Sequence, residues 1–388
     1  MHDYITRFIE KPIIEAIQYF SVITLTGPRQ SGKSTLLRHL FPHADYLSLE
    51  DPDIRRRAMS DPREFLKSDK TTVIIDEVQR FPELLSYIQS FVDAGTATKY
   101  YLTGSSNFSL LKNITQTLAG RTALFELLPF QYEEIKDLAE DDSVDDLMYK
   151  GFYPGIWSGK NIPSLFYPNY VKTYLERDLR DLIAIRDLDL YQRFLILAAA
   201  RIGSIFKESE LSNELGIAVN TVKAWLSTLQ ASYVVFQLKP FYTNTKKRLV
   251  KSSKIYFTDT GIASWLLEID SAKSLHNDRM RGHFYENMII CNVLKSFYNQ
   301  GKQPHLYFYR DSNGNEVDLL IKNRDKYDVV EIKSAETFNT EFLKGVKSFE
   351  SSFPEYCGNK YVVYSGKDLG RIEGIEILNY KTFLGSLM

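Results

Sequence analysis

Cysteine is nearly absent: Cys291 and Cys357 are the only two in 388 residues. Two thiols make neither a disulfide framework nor a four-ligand zinc site, and they fit a reducing compartment. Net charge is equally thin, at −1 from 48 basic and 49 acidic side chains, so any nucleic-acid contact must come from a local basic patch. Long apolar runs are missing too, with nothing near the ~18 residues needed to cross a bilayer. The opening "MHDYITRFIEKPIIEAIQYF" is amphipathic and mixed in charge, unlike a secretory signal. These absences predict a cytoplasmic chain without a membrane partner. Its hydrophobic content of 44% and charged content of 25% are those of an ordinary globular protein. The length predicts roughly two to four domains.

In the first half, short apolar strands alternate with helical stretches. "VITLTG", "YLSLE", "TTVIIDE", "KYYLTGS" and "ALFELLPF" are the strands, and the alternation predicts a parallel α/β sheet covered on both faces. Between the first strand and its helix lies "GPRQSGKS", Gly27, Pro28, Arg29, Gln30, Ser31, Gly32, Lys33 and Ser34, followed by Thr35. Glycine lets such a loop curl its N–H groups toward phosphate oxygens, and the helix N-terminus adds positive potential. In this phosphate-loop pattern Lys33 reaches the β- and γ-phosphates of ATP and the Ser34 hydroxyl ligates Mg2+. Asp76 ends the buried run "VIID", where it can hold the same ion, and Glu77 is the natural base to orient a water. Thr103 and Ser105 end the next strand, ahead of Ser106 and Asn107; they can sense the γ-phosphate or simply start a helix. Arg121, in "LAGR", can reach a phosphate on a neighbouring copy or serve as an ordinary surface residue.

Residues 136–190 are helical and rich in acids, as in "LAEDDSVDDL" and "YVKTYLERDLRDLIAI", and read as a solvated helical bridge. Beyond Tyr191, Leu211, Leu215, Val222, Leu226 and Leu229 make one stripe across two helices that break near Gly216, the spacing of a helix-turn-helix. "YVVFQLKPF" and "KIYFTD" are the strands of a wing. Lys239, Lys246, Lys247, Arg248, Lys251 and Lys254 fall between them with no acid, a patch able to contact the phosphates of double-stranded DNA. Asn220, Thr221, Lys223 and Gln230 are few base readers, so weak sequence preference is expected. Protein contact is the other use of such a wing.

Near the C-terminus, "RGHFYENMII" places Glu286 on a helix, and strands "HLYFYRD", "NEVDLLI" and "VVEIKSA" follow. Strand alternation puts Glu331 and Lys333 on one face. Asp318 on the neighbouring strand completes a set that matches the pattern of the PD-(D/E)XK nuclease superfamily. That resemblance implies Glu286, Asp318 and Glu331 around Mg2+ or Mn2+, the Ile332 carbonyl as a further ligand, and Lys333 as the catalytic cation. Glu286 is expected at the site margin. A salt-bridged relic of the fold is the alternative.

The motifs "GPRQSGKSTLL", "VIIDEVQRFPELL", "YYLTGSSNF", "LAGRTALFELLPF", "KIYFTDTGIASWLL", "GHFYENMII" and "NEVDLLI…VVEIKSA" together resemble a bacterial and archaeal family of AAA-type ATPases. The resemblance implies ATP hydrolysis, with Arg121 as an arginine finger acting in a homo-oligomer. The architecture expected is an AAA-like P-loop core over 1–135, a helical bridge over 136–190, a winged helix over 191–270 and a restriction-endonuclease-like α/β domain over 271–388. The function expected is an ATPase associated with DNA whose nucleotide cycle controls a metal-dependent nuclease. The alternative is a regulatory ATPase switch with an inactive nuclease fold that binds a protein partner.

Overall fold

Alternating apolar residues build the first sheet from both sides. The computed structural model describes residues 4–68, 70–105, 117–175, 187–242 and 252–387. They form two compact units, one of Met1–Phe130, Ala231–Tyr233 and Phe297–Gln303, the other of Gln131–Gln230, Val234–Ser296 and Pro304–Met388.

In the first unit, β1 (Val22–Gly27), β2 (Asp45–Ser48), β3 (Thr72–Asp76), β4 (Lys99–Ser105) and β5 (Thr122–Glu126) make a parallel sheet in the order β2-β3-β4-β1-β5. Successive side chains leave a strand on opposite faces. Val22, Val73, Ile75, Tyr100 and Leu102 therefore pack with Leu84, Leu85 and Ile88 of the helix Leu84–Asp93. Ile23, Leu25, Ile74 and Tyr101 pack oppositely with Leu36 and Leu37 of the helix Lys33–Leu40 and with Ile9 and Ile13. With both faces buried, β1 carries no exposed residue.

The second unit has a mixed sheet in the order β12-β13-β11-β10-β9-β8-β6-β7. Its strands are β6 (Val235–Pro240), β7 (Lys254–Phe257), β8 (Leu306–Arg310), β9 (Glu316–Asn323), β10 (Lys326–Lys333), β11 (Cys357–Tyr364), β12 (Gly370–Ile372) and β13 (Ile375–Asn379). β8, β9 and β10 form an antiparallel meander, β10, β11 and β13 run parallel, and β6 joins the sheet through Lys239 and Pro240 beside Tyr307 and Phe308. The helices Glu208–Leu215 and Val219–Ala231 flank Gly216, whose left-handed φ of 67° ends the first. The expected stripe of Leu211, Leu215, Val222, Leu226 and Leu229 is buried, and Tyr191 and Phe194 pack on Trp225.

Two expectations change here. The acid-rich stretch is not wholly solvated: Asp145 is buried and accepts from Arg281 Nε at 2.7 Å while facing His276 Nδ1 at 2.8 Å. Lys254 is no surface cation for DNA, because only 2% of it is exposed. Lys239 is exposed, as expected of the patch. Lys246, Lys247, Arg248 and Lys251 lie outside the described residues, as do Ser106, Asn107 and residues 176–186. Both cysteines are buried and unbridged.

Gly27 ends β1 at φ 148°, and a Cβ there would stand 2.1 Å from the Leu127 carbonyl oxygen. Gly120 also has positive φ, 74°, but faces open space. Gly27→Ala should therefore cost about 3 kcal/mol against about 1 kcal/mol for Gly120→Ala. Urea unfolding of the nucleotide-free chain tests this; equal losses would contradict the close approach.

Candidate functional site

Parallel strands end on one edge, and register decides which residues meet there. Leu25 pairs with Thr103 and Gly27 with Ser105, while Ile75 pairs with Leu102. The loop after β1, Asp76 and Thr103 thus share the C-terminal edge, the usual place for ligands in an open α/β sheet. Gly32, left-handed at φ 97°, turns the chain into the helix Lys33–Leu40. Lys33 is buried and donates to the carbonyls of Gly27 at 2.9 Å and Pro28 at 2.7 Å. Gln30 adds a second left-handed turn at φ 61°, and Thr35 stays exposed. Arg29 lies 3.8 Å from Glu50.

Asp76 gathers three hydroxyls. Ser34 Oγ donates to its Oδ1 at 2.7 Å, Thr103 Oγ1 donates to the same oxygen, and the Tyr46 hydroxyl donates to Oδ2 at 2.6 Å. Burial, reinforced by the Asp76 charge, raises the Tyr46 phenol well above its usual range. Glu77 has a left-handed φ of 56°, and its Oε2 accepts from Ser105 Oγ at 2.9 Å and from the Gln79 amide. An all-oxygen pair such as Ser34 and Asp76 suits a hard cation that keeps most of its water, so these residues fit Mg2+.

Sequence reading missed three residues here. Tyr46 lies in no quoted motif, and Gln79 lies in "VIIDEVQRFPELL" with no role read for it; strand register and a tight turn bring them to Asp76 and Glu77. Arg7 is the third: its guanidinium donates to Ser31 O at 3.0 Å and Leu128 O at 2.8 Å, and lies 4.6 Å from the Phe130 ring centroid. It braces the phosphate loop from behind. Arg121 is not drawn to this edge but held by Asp93, with Nε donating at 2.5 Å and Nη2 at 3.0 Å.

The second constellation lies on β7, β9, β10 and the helix Arg281–Asn299. Glu331 and Lys333 share a face, with Nζ 2.6 Å from Glu331 Oε1 and 3.6 Å from Asp318 Oδ2. The Ile332 N–H also donates to Asp318 Oδ2, at 2.9 Å. The expected acids do converge, but around a second lysine. Lys254 Nζ is 3.0 Å from Glu286, 2.5 Å from Glu316 and 3.9 Å from Asp318. Glu286 is not marginal: its side chain is 12% exposed, and the Tyr256 hydroxyl donates to its Oε1 at 2.6 Å. Lys254, Glu316 and Tyr256 were missed because the first reads as part of a basic wing and the others as ordinary strand residues.

As placed, this set does not fit a metal. Among the described residues, no group of three or more His, Cys, Asp or Glu side chains is arranged to hold an ion. An ion among the same carboxylates would face an ammonium within a few ångströms. At ~4 Å and an effective dielectric near ~20, a divalent ion and an ammonium repel by about 8 kcal/mol. As placed, two lysines pair with the carboxylates.

Residues 19–136 match the family described as AAA domain. Residues 141–273 match a domain of unknown function (DUF8612), and 281–383 another (DUF4143). Similar proteins include the uncharacterized protein Rv2008c of Mycobacterium tuberculosis, 28% identical over 326 residues that cover 83% of this chain and 72% of that one. The uncharacterized protein MJ1544 of Methanocaldococcus jannaschii is 23% identical over 361 residues, covering 85% and 78%. Among solved structures, the Walker-type ATPase PABY2304 of Pyrococcus abyssi aligns at 18% identity over 66% of this chain and 94% of that one, with a TM-score of 0.41. A STAND-type signal-transduction ATPase with a tetratricopeptide-repeat sensor, PH0952 of Pyrococcus horikoshii, aligns at 12% identity over 77% and 48%, with a TM-score of 0.30. The α/β unit with its five-stranded parallel sheet is thus AAA-like, followed by a mixed-sheet unit. No described helix is long and apolar enough to cross a membrane.

Burial pushes the Glu331 carboxyl from 4.5 up to about 8, with Asp318 adding repulsion and Lys333 opposing. Glu286 rises to about 6, again chiefly through burial, with Lys254 opposing. A carboxyl whose folded value exceeds its unfolded one binds its proton more tightly when native. Stability is therefore highest below about pH 4.5 for this contribution, falls as pH rises toward 8, and levels off above. One such proton gives a slope of at most about 1.4 kcal/mol per pH unit. Glu331→Gln should flatten the pH dependence of unfolding between pH 5 and 8; an unaltered slope would contradict the assignment.

Proposed function

We propose that the chain is a magnesium-dependent ATPase switch that acts with DNA. The convergence of Ser34, Thr103 and Tyr46 on Asp76 carries this reading, because it sets a carboxylate and a hydroxyl beside the phosphate loop. The backbone of Gly27 to Ser34 cradles the phosphates, framed by Pro28, Arg29, Gln30 and Ser31, and Thr35 begins the helix whose positive end faces them. Lys33 moves from its two carbonyl partners to the β- and γ-phosphates. Ser34 and Asp76 would hold magnesium, which when bound neutralises phosphate charge as the γ-phosphoryl leaves. Glu77 orients the attacking water once released from Gln79 and Ser105, and Thr103 and Ser105 report on the γ-phosphate. Arg121 acts on the nucleotide of a second copy, which requires its exposed pair with Asp93 to open, a small cost for surface charges.

The helices around Gly216 and the β6–β7 hairpin are read as a winged helix. Its base contacts are few, so duplex binding rests on Lys246, Lys247, Arg248 and Lys251 through phosphate charge. Residues 271–388 are read as a restriction-endonuclease-like domain that reports the nucleotide state to a partner. The other reading, phosphodiester cleavage with Glu286, Asp318 and Glu331 on a metal and Lys333 as the catalytic cation, is set aside because Lys254 and Lys333 already pair with those carboxylates.

Lys33→Ala should weaken ATP binding about 100-fold or more. Glu77→Gln should keep ATP and lower turnover about 100- to 1000-fold. Equilibrium binding of a fluorescent ATP analogue and phosphate release check both. Unaltered binding in the first variant and unaltered turnover in the second would remove the ATPase reading.

A further inference from the structure

Lys254 does not come from the elements that supply the acids around it. It opens β7, whereas Glu286 lies on the helix Arg281–Asn299, and Glu316 and Asp318 lie on β9. Its backbone is fixed on two sides, by pairing with Leu238 of β6 and by a bridge to Ile205. Its ammonium sits 5.6 Å from the Phe308 ring centroid, and its side chain is 3% exposed. Its main chain is held in the sheet and its side chain is enclosed almost completely.

We infer that Lys254 is a resident substitute for a divalent cation, an ammonium that the fold installs among Glu286, Glu316 and Asp318 so that the cluster excludes metal ions. One oxygen of each acid is already committed. Glu286 Oε1 takes Lys254 and Tyr256, Glu316 Oε1 takes Lys254, and Asp318 Oδ2 takes the Ile332 N–H and faces Lys333. Arg310 adds positive charge 3.5 Å from Glu316 Oε2. Among the described residues, Glu331 Oε2 is the fully buried cluster oxygen without a donor, and a single oxygen cannot replace the several that a hard cation requires. Removing the ammonium reverses the balance: Glu286 loses its cation, Glu316 and Asp318 are left with Arg310 and Lys333 respectively, and a small divalent ion becomes the best available replacement. Lys254 thus decides whether this cluster is a metal centre. The inference is independent of the ATPase reading, since every residue in it belongs to the second unit.

Calorimetric titration of Mn2+ into the full, nucleotide-free chain tests it, with thermal melting alongside. Wild type should show no Mn2+ binding that Asp318→Asn removes, and its melting temperature should not respond to the ion through the cluster. Lys254→Ala should gain a site roughly tenfold or more tighter than any such signal in wild type, should melt higher with Mn2+, and should lose both effects when Asp318→Asn is added. Should Lys254→Ala fail to fold, Lys254→Gln keeps most of the volume, and the wild-type titration stands without either variant. An Asp318-dependent Mn2+ site in wild type would overturn the inference. So would a folded Lys254→Ala or Lys254→Gln chain that takes no ion.

Discussion

One buried ammonium ties three elements of the C-terminal unit to a single point. Lys254 reaches from β7 to Glu286 on the long helix and to Glu316 and Asp318 on β9. Buried Asp318 and the partly buried Glu286 and Glu316 would each be costly without a counter-charge, and so would the lysine. Together they are tolerable, and removing one partner of such a group typically costs about 3–5 kcal/mol. Burial by itself would lower the Lys254 pKa, but the three acids overcome it and hold the ammonium protonated. The packing of the hairpin, the helix and the meander against one another at this point follows from that compensation.

The first unit solves a similar problem the opposite way. Asp76 is buried as well, but its three side-chain partners are neutral hydroxyls. Hydroxyls satisfy hydrogen bonds without cancelling the charge, so a cation still gains by approaching. Around Asp318 the partners are ammonium groups and a backbone N–H, and the charge is already met. Two centres that each hold a buried aspartate therefore differ in how its charge is met. On the reading proposed above, the nucleotide edge invites magnesium and the C-terminal cluster excludes it.

What could be read in the sequence was local in origin. The phosphate loop needs glycine at Gly27 and Gly32 for backbone reasons that act within a few residues, and Asp76 follows from three apolar neighbours, Val73, Ile74 and Ile75, and a strand's length. Strand alternation likewise placed Glu331 and Lys333 on one face. Lys254 was hidden because it reads as the end of a basic run, while the acids that surround it lie dozens of residues downstream on a helix and another strand. Glu286 was misjudged as marginal for the same reason: its depth is set by Lys254 and Tyr256, not by its own helix. Asp145 shows the converse, an acid in an acid-rich run that is drawn inward by Arg281. Tyr46 and Gln79 reach their carboxylates only through sheet order and a turn, neither of which leaves a pattern in the chain.

The account's central claim is that the nucleotide edge, and not the C-terminal cluster, takes the divalent cation. A crystal of the full chain grown with Mn2+ and a non-hydrolysable ATP analogue addresses it in one anomalous difference map. The account predicts a peak beside Ser34 and Asp76, with Lys254 Nζ still seated among Glu286, Glu316 and Asp318. A manganese peak within that acidic cluster, with Lys254 displaced, would contradict it.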